Sequence, residues 1–162
     1  SVGYITLTAS TKQSKPKAAT HVNRLLPVIE AQSKNLGMSR EFLKARLSSL
    51  NFVYEEGLPT GGEPNLLGQA PNKLCMIHMV GPPEDLKSVT IWVTVVNTDN
   101  LGTKRAALNT VLFVRVVAPW AESWVSDNLG TETTTTNGST RATLQQLQAT
   151  DGFLISLSIE SL

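Results

Sequence analysis

The chain has 162 residues, 41% of them hydrophobic and 17% charged, which is enough apolar material for one core and too much for a disordered chain. Fourteen basic residues against thirteen acidic ones leave a net charge of +1, so no broad field recruits nucleic acid or an anionic membrane. A single cysteine excludes an intramolecular disulfide framework and an all-cysteine metal site, and no apolar run approaches the roughly 18 residues of a membrane span.

Ser1-Val2-Gly3 lacks an initiator Met and reads as a trimmed start. The expectation is therefore a single α+β domain over 1–162, excised from a longer protein. Serine and threonine supply about a fifth of the residues, and the charge fraction is low. That usage favours an extracytoplasmic bacterial domain slightly over a cytoplasmic one.

Residues 4–8 form a short predicted strand, and 11–17 a polar connector carrying Lys12, Lys15 and Lys17. Val22, Leu25, Leu26, Ile29 and Leu36 then recur at helical spacing, with Pro27 inside the stripe and Gly37 placed to end it. Ser39 caps a second helix, whose first turn holds Glu41 and whose apolar stripe is Leu43, Leu47 and Leu50. After Asn51 the period falls to two. Strands are predicted over 52–55, 66–69 and 73–80, and a stronger one is marked by Val89, Ile91, Val93 and Val95. In the third, Leu74, Met76, His78 and Val80 alternate with Cys75, Ile77 and Met79. Both faces are apolar, which places that strand inside the sheet.

The segment 101–129 is rich enough in β-branched residues to pass for a strand, but Lys104-Arg105-Ala106-Ala107-Leu108 favours helix. Phe113, Val117, Trp120 and Trp124 recur at four, three and four residues, and Gly130 follows where a helix would stop. One long helix is expected, bent or split at Pro119. The C-terminal part reads as a hairpin series, with turns at Asn137-Gly138 and Asp151-Gly152 and a last strand of Phe153, Ile155, Leu157 and Ile159. Without strand–helix alternation, the expected fold class is α+β: an antiparallel sheet packed on one face by two N-terminal helices and one long kinked helix.

Chemistry is thinly supplied. Cys75 and His78 are spaced like a metal-binding pair, yet residues three apart on a strand point to opposite faces. The other histidine, His21, has no carboxylate at i+3 or i+4. Cys75 lies in an apolar strand, where its thiol should be buried and inert. Glu55 and Glu56 are adjacent and face opposite ways, and Glu84 and Asp85 read as acidic residues of a short turn. The loop Thr60-Gly61-Gly62-Glu63-Pro64 has no lysine to hold a phosphate. No catalytic residue, metal site or cofactor is expected.

The tryptophans carry the functional expectation. Trp120 and Trp124 share a helical face, Trp92 lies on the outer face of a strong strand, and large amphipathic rings are favoured at interfaces. The leading expectation is a non-catalytic ligand- or protein-binding domain using Trp92, Trp120 and Trp124. It would be the extracytoplasmic part of a membrane-anchored protein and bind a protein or a small apolar ligand. Nucleic acid and direct membrane insertion are excluded as partners. The alternatives are a cytosolic chaperone-like or adaptor domain that forms a homodimer through the apolar positions near Trp92, and a small hydrolase with an unrecognised site.

Overall fold

The computed structural model describes residues 35–162, which belong to one compact unit, Ala31–Leu162. The predicted strand over 4–8 and the first helix, with His21 and Pro27, lie outside the described residues.

Helix α1 (Arg40–Arg46) begins where the sequence places a cap: the Phe42 N–H donates to Ser39 Oγ at 3.1 Å. Leu43 and Leu47 are fully buried, so this short helix is held by its apolar side. Strands β1 (Val53–Glu56), β2 (Asn65–Gln69), β3 (Cys75–Val80) and β4 (Ser88–Val96) follow as an antiparallel meander. The predicted boundaries of these strands shift by one or two residues.

Helix α2 (Gly102–Val117) is entered through Asp99, which accepts from the Leu101 N–H at 3.0 Å and from Arg105 at 2.6 Å. It buries Ala106, Thr110, Phe113, Val114 and Val117, an i, i+4, i+7, i+8, i+11 stripe. The single kinked helix of the sequence reading is two helices here. Ala118 takes φ −147° and ψ 70°, a 3₁₀ turn follows over Pro119–Ala121, and α3 (Glu122–Asn128) starts anew. The residue before a proline is pushed out of the α region, and Pro119 has no N–H to continue the ladder. Arg115 of α2 reaches Glu122 of α3 at 2.6 Å across the break. Gly130, at φ +90°, ends the helical segment as expected.

Among the described residues, strands β5 (Thr133–Asn137), β6 (Thr140–Ala149) and β7 (Gly152–Ser161) complete a seven-stranded antiparallel sheet in the order β1-β2-β3-β4-β7-β6-β5. The chain thus returns beside β4 with its last strand, not with the first strand after the helices. Inward residues of five strands, among them Ile77, Val89, Ile91, Leu144, Leu157 and Ile159, form one cluster with Leu43, Leu47, Phe113, Val114 and Val125 of the helical segments.

Both C-terminal turns sit one residue from their predicted places. Asn137 pairs with Thr140, so the two loop residues are Gly138 and Ser139. Gly138 has φ +59° and Ser139 stays at negative φ, the pattern of a II′ turn instead of the I′ turn that Asn-Gly suggests. The second loop is Thr150-Asp151, because Ala149 already pairs with Gly152. Asn-Gly keeps its hairpin meaning, but the register of β5 on β6 puts Asn137 in the ladder. Replacing Gly138 with valine should still cost about 1 kcal/mol or more, since a β-branched residue is strained at that φ. The measurement is the urea midpoint, which should fall; an unchanged midpoint would contradict the positive φ.

Candidate functional site

Strands β3 and β4 alternate strictly between a buried and a half-buried set. Cys75, Ile77 and Met79 face Val93, Ile91 and Val89 in the cluster. The residues between them point the other way, where Met76 stands opposite Trp92 and His78 opposite Thr90. The same outward face continues onto β2 with Leu67 beside His78, onto β7 with Ser156 beside Trp92 and Leu154 beside Thr94, and onto β6 with Leu147 beside Leu154.

This outward face has an apolar half and a polar half. Leu67 is 38% exposed and Leu147 is 55% exposed, and both flank the half-buried Met76, Trp92 and Leu154. The His78 and Trp92 rings stack with centroids 6.0 Å apart and planes 26° apart. Burial holds the His78 imidazole below its ordinary pKa, because desolvation penalises the charged ring. The folded state therefore binds that proton less readily than the unfolded chain, and the resulting stability is lost as pH falls through the imidazole range. The polar half is a hydroxyl ladder. Thr90 Oγ1 and Ser158 Oγ lie 2.7 Å apart, and Thr134 donates to Thr143 at 3.3 Å.

A recess of about 290 Å³ opens beside Trp92, walled by Leu67, Leu74, Met76, Trp92 and Leu154, with Lys73 as the charged residue of its lining. A neighbouring recess of about 400 Å³ shares Leu67, Lys73 and Met76 and runs toward Val53 and Glu55. Lys73 is fixed at this lip by the turn between β2 and β3. Its φ is +60°, its N–H donates to Ala70 O at 2.9 Å, and the Leu74 N–H donates to Asn72 Oδ1 at 3.0 Å.

The other two tryptophans lie elsewhere. Trp120 sits in the 3₁₀ turn and is 36% exposed, while Trp124 packs half-buried against the cluster that Trp92 points away from. The depression beside Pro119, about 450 Å³, is lined by Met38, Phe42, Glu84, Val116 and Val117, with neither Trp120 nor Trp124 among its walls. The break at Ala118 turns Trp120 out of line with Phe113 and Val117, which remain buried. The structure does not bring the three tryptophans together.

Cys75 is 2% exposed, and burial pushes its thiol up to about 12, so at neutral pH it stays protonated. It lies on the opposite face of β3 from His78, as strand geometry requires. Glu56 is taken by Arg40 at 2.7 Å, and Asp85 accepts from the Gly37 N–H at 2.8 Å. Among the described residues, no three His, Cys, Asp or Glu side chains stand close enough to hold a metal ion. Among the same residues, no helix is long and apolar enough to cross a membrane.

The sequence marked Trp92 but not its surroundings. Leu74 and Met76 were visible as sharing one face of an alternating strand, but both faces were apolar and the sequence did not mark that one as outward. Lys73 and Leu154 were not visible, since the first depends on a turn and the second on which strand pairs with β4. No family model matches the chain, and no curated protein or solved structure matches it either.

Proposed function

We propose that this is a non-catalytic protein-binding domain whose contact surface is the outward face of the sheet around Trp92. The reading takes the helices to lie together on the cluster side, which leaves the other face for a partner. The observation that carries it is the placement of Trp92. The largest side-chain type in the chain is turned away from the core into a recess of about 290 Å³, among Met76, Leu67, Leu74 and Leu154. Burying such a ring against a partner contributes more than any other single contact the face offers.

The partner's chemistry follows from the lip. Lys73 is the charged residue of this recess, so the complementary group is an apolar or aromatic anchor flanked by a carboxylate or another anion. Trp120 and Trp124, expected from the sequence to share in binding, contribute nothing to this surface in the proposal.

A probe of the same chemistry tests it: 8-anilinonaphthalene-1-sulfonate, an apolar aromatic carrying one negative charge. In the W120F/W124F variant the remaining fluorescence is that of Trp92, and saturable quenching by the probe is expected. Changing Lys73→Glu should weaken the probe's binding about 3- to 10-fold, on the order of 1 kcal/mol. Probe that binds without quenching Trp92, or that ignores the charge reversal, would sink this assignment.

A further inference from the structure

We propose that two copies of this chain join through the outer edge of β5, antiparallel about a twofold axis at Thr135, so that the two sheets continue as one. The inference is independent of the Trp92 surface and rests on a difference between the two edges of the sheet.

The β1 edge is guarded. It is four residues long and carries Glu55 and Glu56 side by side, both exposed. A strand laid along it would meet the Glu55 carboxylate and the Glu56–Arg40 ion pair, and short charged edges of this kind discourage pairing. The β5 edge is one residue longer and lacks the carboxylates. Its sequence is Thr133-Thr134-Thr135-Thr136-Asn137, with no charge and no proline, and its pairing with β6 runs unbroken from Thr133–Leu144 to Asn137–Thr140 without a bulge. Threonine is β-branched and favours extended backbone. Among the described residues β6 is the only strand beside it. An uncharged, β-prone edge that no second strand covers among the described residues is a template for another strand.

The register of the hairpin says which groups are offered. The Leu162 N–H donates to Ser139 O at 2.7 Å, so Ser139 and Arg141 turn their backbone groups toward β7 while Thr140 and Ala142 turn theirs toward β5. Asn137, Thr135 and Thr133 are therefore spent on β6, and Thr134 and Thr136 present their N–H and C=O groups outward. Two such edges are self-complementary. With Thr135 facing its twin, Thr134 of each copy exchanges two hydrogen bonds with Thr136 of the other, giving four in all.

A second copy fits this edge better than an unrelated strand. A twofold contact must be its own complement, and this edge satisfies that condition in length, in donors and acceptors and in its threonine pairs. No charge within β5 meets a like charge, and a net charge of +1 gives little repulsion between whole chains.

The test is the mass of the 162-residue chain by sedimentation equilibrium as its concentration is raised from micromolar to millimolar. The expected result is a monomer–dimer equilibrium. In T134K/T136K each new lysine faces a lysine of the other copy, and dimerisation should weaken at least tenfold. In T134K/T136E each lysine faces a glutamate, and the dimer should return to wild-type strength or better. Thr134→Pro removes only an outward donor, so it should give a folded monomer with its far-UV circular dichroism intact. Thr135→Pro would break the β6 ladder and destabilise the fold itself. A chain that stays monomeric throughout overturns the proposal. So does a dimer indifferent to T134K/T136K, or one lost through Trp92→Ala instead, which would place the contact on the Trp92 face.

Discussion

Replacing Gly152 with alanine should destabilise the domain by about 3 kcal/mol, the upper part of the range for forcing an extra carbon into a packed site. A Cβ built at Gly152 would lie 1.8 Å from the carbonyl oxygen of Val95 and 2.9 Å from its carbon. Both atoms are backbone, and neither strand is free to retreat. Gly152 opens the β7 pairing with β4 opposite Val96 and the β7 pairing with β6 opposite Ala149, while the Asn97 N–H donates to Asp151 O at 2.7 Å. Relief of the clash must therefore break hydrogen bonds on one side of β7 or the other. Gly138 supplies the comparison. A Cβ there meets nothing within 4 Å, so alanine at Gly138 costs only the strain of its φ of +59°, about 1 kcal/mol. Urea unfolding of both variants should give a clearly larger midpoint loss for Gly152→Ala. Equal losses would mean that β4 does not approach Gly152 this closely.

Gly152 also shows where sequence reasoning stops. Asp151-Gly152 looks like the centre of a hairpin turn, and local rules supply no reason to read the glycine otherwise. Its use is non-local: it lets β4 pass close by. The information lies in a pairing between residues more than fifty positions apart. The same holds for the strand order. Alternation identifies β3, β4 and β7 and, for β4 and β7, tells which residues face inward, because the period of two is written in the side chains. Nothing in that period says that β7 and not β5 should sit against β4. The outward recess inherits the gap, since Leu154 joins Trp92 only through that pairing.

Arg40 is a second kind of blind spot. It lies in the first turn of α1 and is 6% exposed. Its Nη1 meets Glu56, while Nε and Nη2 are buried without a hydrogen-bond partner among the described residues. A charged residue at a helix start reads as solvated surface, and burial of a guanidinium there is set by where β1 ends. The Pro119 break was legible as a break, because the backbone rule is local. Its consequence for Trp120 was not, since the direction of the chain after Ala118 depends on how α3 packs.

Truncating Phe113 to alanine should cost about 3–5 kcal/mol, the range for emptying a fully buried aromatic site. Phe113 is 0% exposed and is the largest fully buried side chain among the described residues. It sits in the middle of the α2 stripe, one helical turn from both Thr110 and Val117, in the cluster that includes Ile91 and Leu157 of the central strands. Thr110 has no spare reach to fill the space, because its hydroxyl already donates to the Ala106 carbonyl at 2.8 Å. Phe113→Leu keeps most of the volume and should cost about 1.5 kcal/mol or less. Trp92→Thr loses a half-buried ring and a stacking partner on the outward face, with an expected cost of about 1 kcal/mol. A clearly larger loss of urea midpoint for Phe113→Ala than for either Phe113→Leu or Trp92→Thr separates the two faces of the sheet by function. A large residue facing inward holds the fold, whereas the larger one facing outward is nearly dispensable to it. If Trp92→Thr proved as costly as Phe113→Ala, Trp92 would be a core residue and the surface around it would have no claim on a partner.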